Sequence, residues 1–407
     1  MKILVICQYY YPEPFRISDI CEHLVKQGHE VQVITGYPNY PLGELYDGYG
    51  MGKRIDEVIN GVKVHRCYEV PRKRGTINRF LNYYSYPISS SLYVSSSKCK
   101  PEIGKKFDLV VCNQLSPVMM AKAAIKYKKK YNVPLLMYCL DLWPESLIAG
   151  GIKRNSTIYN IFLKISKKIY RKTDQIVVTS EEFKKYFKEK FCIDNTIFLP
   201  QYAESIFNPK ECKKEDNDCV DLMFAGNIGK AQNVKIIIDA AKELVDIKNL
   251  KFHIVGDGTE LENLKIAAQG LNNVVFYGRR PVEEMPALYS KADAMLVTME
   301  KDPIISMTLP GKIQSYMAAG KPIIGSIDGE AQKVIKESDC GLCSNAENIQ
   351  EFITIINKFI SCKNKEKYKE NSYRYYLNTY SENLFFDNLE EIIKKVMVDK
   401  NESINDK

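Results

Sequence analysis

Residues 309–324 read Leu-Pro-Gly-Lys-Ile-Gln-Ser-Tyr-Met-Ala-Ala-Gly-Lys-Pro-Ile-Ile. Pro310 and Gly311 suit the first turn of a helix, because a missing N–H costs nothing there and the free amides of the next residues point outward. Lys312 adds a positive charge beside those amides, and Gly320 ends the helix before a short apolar strand. The stretch predicts a helix and a strand of an α/β domain. The helix start is either an anion site or an ordinary packed turn.

The composition of the whole chain is that of a globular protein with more than one domain. Its 407 residues are 45% hydrophobic, which favours two or three domains and excludes a disordered or fibrous chain. Residues 1–7 form a strand rather than a signal peptide, and no apolar run approaches the roughly 20 residues of a membrane span, so we expect a cytoplasmic protein. The twelve cysteines lack the partners of a zinc site, which predicts reduced thiols and no bound metal.

Positive charge is concentrated in one part of the chain. Between Gly61 and Lys172 there are 22 Lys and Arg residues against five Asp and Glu residues, although the net charge of the whole chain is only +8. Within this region the basic stretch 71–74 is followed by the mixed stretch 79–81 and the aromatic stretch 83–86. Such a combination of cations and aromatic residues is found at the interface of an anionic bilayer. We predict peripheral docking on an anionic membrane through region 61–172. The alternatives are a solvated loop with core aromatic residues and a nucleic-acid surface, although the sequence contains no recognisable nucleic-acid module.

Strands and helices alternate in two series separated by a polar stretch. This alternation predicts parallel sheets with helices on both faces, and hence two doubly wound, Rossmann-like α/β domains around a central cleft. We place the first domain at 1–205, the second at 206–380, and a C-terminal helix at 381–398 that packs on the first domain. Predicted strands begin at Ile3, Val31, Val62, Leu109, Leu135, Gln175, Leu222, Lys251, Val274, Ala294 and Pro322, and predicted helices include 17–27 and 117–131.

Two glycine turns follow strands of the second series. Gly226-Asn-Ile-Gly229 comes after the first strand and Gly256 after the next, at the carboxyl edge of the sheet where open α/β domains bind ligands. A turn without side chains lets a diphosphate approach the backbone closely. Together with the helix start at Pro310, the two turns predict a site for a nucleoside diphosphate.

A polar segment of the first series could contact a second substrate. Residues 139–145, Cys-Leu-Asp-Leu-Trp-Pro-Glu, end an apolar strand with two carboxylates and the only tryptophan of the chain. Asp141 and Glu145 could orient an acceptor hydroxyl or remove its proton, and Trp143 could form a wall of the site. The alternative is a helix-capping Asp and a solvent-facing Glu. Glu13 and Arg16, after the first strand, would face the same cleft.

Several of these segments resemble a known family. Gly226-Asn-Ile-Gly-Lys-Ala-Gln232, Ile254–Gly258, Tyr289–Asp293 and Tyr316–Pro322 look like the C-terminal domain of family 4 glycosyltransferases of the GT-B fold. Gly28–Val31, Tyr11–Glu13 and Tyr37–Pro41 are similar to the N-terminal domain of that family. The nearest likeness is to bacterial enzymes of O-antigen and capsule assembly, particularly transferases of N-acetylfucosamine and related amino sugars.

The resemblance implies a reaction and its partners. It implies transfer of a sugar from a nucleotide donor, with retention at the anomeric carbon and without a metal or other cofactor, and our leading hypothesis for the donor is a UDP-sugar. The acceptor would be a lipid-diphosphate-linked saccharide at the inner face of the cytoplasmic membrane, in cell-surface polysaccharide biosynthesis. The alternatives are a sugar-nucleotide 2-epimerase of the same fold and a non-catalytic protein that binds a nucleotide sugar or glycolipid.

Sixteen residues have predicted roles in the site. The predicted catalytic groups are Asp141, Glu145 and Lys312; the donor-binding groups are Gly226, Asn227, Gly229, Lys230, Gly256, Arg279, Pro310, Gly311, Gln314 and Ser315; and the acceptor-side groups are Glu13, Arg16 and Trp143.

The chain departs from the family pattern at four positions. The resemblance leads us to expect Arg and Lys where Asn227 and Gln232 stand, so the positive charge must come from elsewhere. The usual glutamates, eight positions apart, would fall at Met307 and Ser315, and the second normally fixes the ribose hydroxyls. Carboxylates that could compensate, or could equally be ordinary loop charges, are Glu300, Asp302, Asp328 and Glu330. Asp216-Asn-Asp218 resembles a metal-binding motif of other glycosyltransferases, but we assign it to a linker.

Overall fold

A computed structural model describes residues 1–41, 43–50, 52–72, 75–149, 151–154, 156–214 and 217–405 of the chain. Two compact units can be distinguished by their internal contacts. Unit 1 comprises Met1–Thr179, Phe183–Leu199 and the chain from Asn388 onward, and unit 2 comprises Ser180–Glu182 and Pro200–Asp387. None of the helices in the described ranges combines the length and the apolar character that a membrane crossing needs.

Unit 1 is built on an eight-stranded sheet. Its strands are β1 (Lys2–Cys7), β2 (Glu30–Thr35), β3 (Asp56–Ile59), β4 (Val62–Arg66), β5 (Leu109–Gln114), β6 (Leu135–Cys139), β7 (Gln175–Val178) and β8 (Thr196–Phe198). The strand order is β3-β4-β2-β1-β5-β6-β7-β8, and every neighbouring pair is parallel except β3 with β4. The residues from Ile3 to Cys7 are completely buried, as expected for a central parallel strand with both faces covered.

Among the described residues up to Leu199, six α-helices accompany these strands. They are α1 (Ile17–Lys26), α2 (Thr76–Tyr93), α3 (Lys122–Tyr131), α4 (Ser146–Ala149), α5 (Thr157–Tyr170) and α6 (Glu181–Tyr186), with a 3-10 helix at Val118–Ala121 and a π-helical turn at Phe187–Phe191.

Unit 2 is built on a six-stranded, all-parallel sheet. Its strands are β9 (Val220–Ala225), β10 (Leu250–Val255), β11 (Val274–Gly278), β12 (Ala294–Thr298), β13 (Ile323–Ser326) and β14 (Gly341–Ser344), in the order β11-β10-β9-β12-β13-β14. Its helices are α7 (Lys235–Glu243), α8 (Leu261–Ala267), α9 (Met285–Tyr289), α10 (Gly311–Ala318), α11 (Gly329–Ser338), α12 (Ile349–Ser361) and α13 (Lys365–Thr379), with 3-10 turns at Lys230–Gln232, Val282–Glu284 and Ile305–Met307.

The core of unit 2 lies on both faces of its sheet. Successive side chains of β9 enter different hydrophobic clusters: Leu222 and Phe224 join one, and Met223 and Ala225 join the other. This alternation follows from the period of two in a β-strand. The sheet is therefore covered by helices on both faces, and its carboxyl edge is where loops can carry functional groups.

The predicted elements are present, with differences at their ends. Every predicted strand exists, but the helix predicted at 117–131 is divided into the 3-10 helix at Val118–Ala121 and the α-helix α3. The sequence did not reveal α2, because Pro87 lies inside that helix and proline normally interrupts one. It also did not reveal β3, whose exposed and half-buried residues alternate at the sheet edge.

The last helix, α14 (Glu382–Asn405), is continuous from unit 2 into unit 1. In its first turn Phe385 lies against the ring of Tyr202, with 4.9 Å between ring centroids. Further along, Glu390 Oε1 lies 3.4 Å from His23 Nε2, and Lys400 Nζ donates to Asn132 Oδ1 at 2.9 Å.

Candidate functional site

The strand order of unit 2 reverses between β9 and β12, which creates a crevice at the sheet edge. From β9 the chain adds β10 and β11 on one side and then returns to place β12 on the other side. Parallel sheets bind ligands where the strand order reverses, beyond the carboxyl ends of the strands. Thr298, at the end of β12, donates to the carbonyl of Gln232 at 2.6 Å and so joins the two edges of this crevice.

The turns after β9 and β10 pack directly against each other. Gly226 and Gly256 have φ angles of +143° and +140°, and a Cβ atom at Gly256 would lie 1.8 Å from the carbonyl oxygen of Gly226. Ile228 N–H donates to the Asp257 carbonyl at 2.8 Å, which holds the two turns together. Only glycine is compatible with this approach at position 256. Gly226 and Asn227 are exposed, so the backbone of the turn is open to a ligand.

Lys312 places its ammonium group on the Gly226 turn. Its Nζ lies 3.1 Å from the point where a side chain at Gly226 would begin, donates to Gln232 Oε1 at 2.7 Å, and lies 3.9 Å from the ring centroid of Phe224. Burial lowers the pKa of Lys312 to about 7. Within the described ranges, Lys312 makes no ion pair with a carboxylate. An anion bound on the exposed turn would supply the missing negative charge.

Helix α10 is fixed to the end of β9 by Tyr316. The Tyr316 hydroxyl accepts from the N–H of Ala225 at 3.0 Å and donates to the Ala225 carbonyl at 2.9 Å. The helix begins at Gly311, and Pro310 is the extended residue before it. The buried amide of Gln314, oriented according to its neighbours, donates to the carbonyls of Pro310 and Gly311. Gln314 therefore stabilises the helix start, and it is Lys312 that faces the turn.

Lys230 and Arg279, which were also predicted to bind the donor, lie at the same edge of the sheet. Lys230 is exposed in the 3-10 turn after Gly229, and Arg279 is exposed directly after β11. Gly278, the last residue of β11, accepts from the N–H of Gly256 at 2.9 Å. The structure thus brings together the Gly226 turn, Gly256, Lys312 and the base of the Arg279 loop.

Three of the four nearby carboxylates considered as substitutes for the family glutamates accept hydrogen bonds from the backbone. Asp302 Oδ1 accepts from the N–H groups of Ile304 and Ile305, Asp328 Oδ1 accepts from Ala346 N–H, and Glu330 Oε1 accepts from Glu181 N–H. These bonds hold loops in place. Sequence reasoning missed a different carboxylate, Glu204, whose Oε2 lies 3.4 Å from Ser315 Oγ. Asp216 of the Asp216-Asn-Asp218 motif lies outside the described residues.

In unit 1, Glu145 is enclosed by hydrogen-bond donors. Its Oε1 accepts from the hydroxyls of Tyr159 and Tyr186, both at 2.8 Å, and its Oε2 pairs with Arg154 at 3.0 Å. The side chain is only 1% exposed. These contacts favour a structural role for Glu145 over the predicted role on an acceptor. Trp143 is also a core residue, because its indole packs edge-on against Tyr83 and Phe162.

Asp141 remains more accessible than Glu145. Its Oδ2 accepts from the backbone N–H of Ser116 at 3.1 Å, and burial raises the pKa of its carboxyl group. It lies two residues beyond the end of β6, at the carboxyl edge of the sheet, and is only partly buried. Of the three residues predicted in this segment, Asp141 is the one whose position best suits contact with a substrate.

Glu13 holds two loops of unit 1 together. Its Oε1 accepts from the N–H groups of Asn39 and Tyr40, at 2.9 and 2.7 Å, and its Oε2 accepts from Tyr10 N–H. Burial raises the pKa of Glu13 to about 7 although these bonds favour the ionised form. Arg16 directly precedes α1, and its Nη1 lies 3.5 Å from Asp19 Oδ2. These contacts show that Glu13 shapes the loop after β1.

A buried polar cluster, which the sequence did not reveal, lies at the carboxyl edge of the unit 1 sheet. Glu69 Oε1 accepts from Gln8 Nε2 and Asn82 Nδ2, both at 2.7 Å. Glu69 Oε2 occupies the space beside Gly36, where a Cβ atom would lie only 2.0 Å from it. Burial raises the pKa of Glu69 to about 8. Spacing along the chain gives no signal for this cluster, since its members come from separate strand ends and from α2.

Comparison with protein families identifies the chain. Residues 16–198 match the model of Glycosyltransferase Family 4, and residues 207–375 match the model of glycosyl transferases group 1. The two matches between them cover most of the chain. The chain is a family 4 glycosyltransferase.

A relative of this glycosyltransferase, WcaI, agrees with that assignment. The chain is 26% identical over 343 residues to WcaI of Escherichia coli (strain K12), a protein named for glycosyl transfer in colanic acid biosynthesis, with 79% of this chain and 82% of WcaI covered.

Solved structures show that the fold of this glycosyltransferase is GT-B. Sucrose-phosphate synthase of Thermosynechococcus elongatus superposes with a TM-score of 0.73 at 14% identity, over 98% of this chain and 99% of that one. Anabaena Alr3699/HepE in complex with UDP gives a TM-score of 0.69 at 14% identity, over 97% and 100% of the chains. The family and fold implied by the sequence motifs are therefore confirmed.

Proposed function

We propose that this glycosyltransferase uses a UDP-sugar as donor and binds its diphosphate at Lys312. The observation that carries the proposal is the position of the Lys312 ammonium on the exposed Gly226 turn, beside the start of α10. A diphosphate there would meet a cation, the exposed backbone at Gly226 and Asn227, and a helix N-terminus. The complex of HepE with UDP, a protein of the same fold, supports a uridine nucleotide. In this scheme unit 2 binds the donor.

The same groups would act during sugar transfer. As the glycosidic bond of the donor breaks, negative charge develops on the departing diphosphate, and Lys312 and the Gly226 turn are placed to stabilise it. Lys230 and Arg279, both exposed at the same edge, would add positive charge. We further propose that transfer proceeds with retention and without a metal, and that Asp141 is the acceptor-side polar group of unit 1.

For the acceptor we propose a lipid-diphosphate-linked saccharide in cell-surface polysaccharide assembly, with an N-acetylated amino sugar as the transferred group. The name of WcaI supports a role in polysaccharide synthesis, and the motif resemblance supports the amino sugar. Membership of a glycosyltransferase family favours transfer over the epimerase and the non-catalytic alternatives.

A lipid-linked acceptor requires the enzyme to reach a membrane surface, and we propose that α2 docks there. Large apolar side chains are exposed along one face of this helix, with 46–77% of their surface accessible: Ile77, Phe80, Leu81, Ile88 and Leu92. Their spacing places them within one third of the helix circumference. Lys122 Nζ lies 5.3 Å from the ring centroid of Tyr84, on the same face. An apolar face within the basic region 61–172 fits the interface of an anionic bilayer on the inner side of the cytoplasmic membrane.

Vesicle binding tests this docking surface. The triple change Ile77→Ser, Phe80→Ser and Leu81→Ser should weaken binding to vesicles of phosphatidylglycerol and phosphatidylcholine at least about tenfold, because each buried apolar side chain contributes on the order of 1 to 3 kcal/mol. Neutralising Arg72, Lys73, Arg74 and Arg79 should weaken binding to vesicles that contain the anionic phosphatidylglycerol. It should not weaken binding to vesicles of phosphatidylcholine alone. Ile266→Ser, which changes an exposed apolar residue of α8, is the control. Unchanged binding in both variants would remove α2 and the basic segment from the docking surface.

Calorimetric titration with UDP and UDP-N-acetyl amino sugars in the presence of EDTA tests the proposed donor. We expect metal-independent binding at micromolar concentrations, weakened by Lys312→Ala. If no uridine nucleotide binds, the proposed donor is wrong. If binding requires a divalent cation, the metal-independent mechanism is wrong.

A further inference from the structure

Glu204 brings a carboxylate to the side of α10 that carries Ser315. Glu204 belongs to the segment of unit 2 that precedes β9, and its Oε2 lies 3.4 Å from Ser315 Oγ. Glu204 is half-buried, and only 9% of Ser315 is exposed. We infer that Glu204 binds the ribose hydroxyls of the nucleotide donor, with Ser315 as its hydrogen-bonding neighbour. The inference rests on the nucleotide-sugar donor proposed above.

The position of Glu204 relative to the diphosphate site follows from the geometry of α10. Ser315 is three residues beyond Lys312, and side chains with that spacing lie on the same side of a helix, about 5 to 6 Å apart at their Cβ atoms. A diphosphate at Lys312 would therefore place its attached ribose close to the next helical turn. Ser315 is in that turn, and the carboxylate of Glu204 lies beside it.

The chemistry of a ribose suits a carboxylate at this point. Two neighbouring hydroxyl groups can each donate a hydrogen bond to one carboxylate oxygen, and hydrogen bonds to a charged acceptor are stronger than neutral ones. The serine hydroxyl can donate to the carboxylate and accept from the sugar at once. A phosphate group placed beside Glu204 would be repelled by its negative charge. Lys312 and Glu204 together therefore fix the direction in which the nucleotide lies along α10.

The environment of Glu204 fixes where its carboxylate can reach. Tyr289 is close enough for the negative charge of Glu204 to help raise its pKa, although burial is the main cause of that increase. The Tyr289 ring packs edge-on against Tyr316, the residue that fixes α10 to β9. Glu204 thus lies beside the part of α10 whose position is set by the core, which is the condition for a preorganised binding group.

Binding of UDP and of 2′,3′-dideoxy-UDP to matched variants tests the inference. The wild-type protein should bind UDP about tenfold or more tightly than the dideoxy analogue, because the analogue loses hydrogen bonds to a charged group. In Glu204→Gln and Glu204→Ala this preference should fall toward one, chiefly through weaker binding of UDP. Glu262→Gln, a change of an exposed carboxylate on α8, should keep the wild-type preference.

A second variant separates a direct role from a structural one. Ser315→Glu in the Glu204→Gln background should restore the preference for UDP, since it returns a carboxylate to the same place from α10 itself. The inference is overturned if wild type does not distinguish the two nucleotides, or if the Glu204 variants lose affinity for both equally. Lys312→Ala should weaken both nucleotides to the same extent. Failure of wild type to bind UDP at all would instead overturn the proposed donor.

Discussion

Lys312→Ala should lower the rate of glycosyl transfer by roughly 10- to 1000-fold, the cost of removing one group that stabilises a developing negative charge. The loss should appear mainly in kcat/KM, because Lys312 meets the diphosphate both in the bound donor and as the leaving group. The fold should remain, since in the structure Lys312 contacts mainly Gln232, Phe224 and the Gly226 turn. Steady-state kinetics and thermal unfolding of the same preparation measure the two effects.

The pH dependence of this reaction should also involve Lys312. Its pKa is lowered to about 7 by burial, so in the free enzyme the ammonium loses its proton as the pH rises through that value. Only the protonated form attracts the diphosphate, and kcat/KM should therefore fall on the alkaline side. Lys235→Ala, a change of an exposed lysine paired with Asp239, is the control and should leave the rate and its pH profile unchanged. A wild-type rate in Lys312→Ala would contradict the assigned diphosphate site.

Glu69→Gln should raise the free energy of unfolding at about pH 8.5 by roughly 1 to 3 kcal/mol, and by much less at about pH 5. In the folded state the pKa of Glu69 is raised from 4.5 to about 8 by burial. Between these values the folded protein holds a proton that the unfolded chain releases, so stability falls as the pH rises. Glutamine cannot ionise, and it keeps an oxygen for Gln8 and Asn82. Denaturant unfolding at several pH values measures the difference.

The difference in the free energy of unfolding between wild type and Glu69→Gln, followed over pH, reports the contribution of Glu69. Glu13, whose pKa is raised in the same direction to about 7, is present in both proteins, and its charge is one of the causes that raise the pKa of Glu69. Glu69→Ala should be destabilising at every pH, because it leaves the buried amides of Gln8 and Asn82 without their acceptor. Glu189→Gln, at an exposed position, is the control. Parallel stability curves for Glu69→Gln and wild type would show that Glu69 does not titrate in this range.

Local sequence signals were sufficient to predict the repeated alternation of strands and helices. The residues of β1 and β9 form apolar runs of the kind found in parallel strands covered on both faces, and both strands are buried in this way. By contrast α2 was not predicted, because Pro87 and the polar residues around it give no helical signal. That helix depends on the packing of buried residues such as Tyr86, whose hydroxyl donates to the carbonyls of Cys7 and Ile34.

The parts of the proposed donor site were also visible in the sequence. Glycines at 226 and 256 and a lysine at the start of a helix are local patterns, and the structure brings them together at one sheet edge. The carboxylate proposed to bind the ribose was harder to find. Sequence reasoning considered residues near Ser315 in the chain, whereas the carboxylate beside Ser315 comes from Glu204, 111 residues away.

By itself, the sequence determined two α/β series, the glycine turns and the cation beside them, because each of these depends on neighbours within a few residues. Only the tertiary structure decided the roles of the carboxylates. Glu145 pairs with Arg154 and accepts from two tyrosines, Glu69 is buried at the strand ends, and Glu204 lies beside Ser315 of α10. A carboxylate acquires its role from the donors and the solvent around it, and in this fold those come from strand ends and helices far apart in the chain.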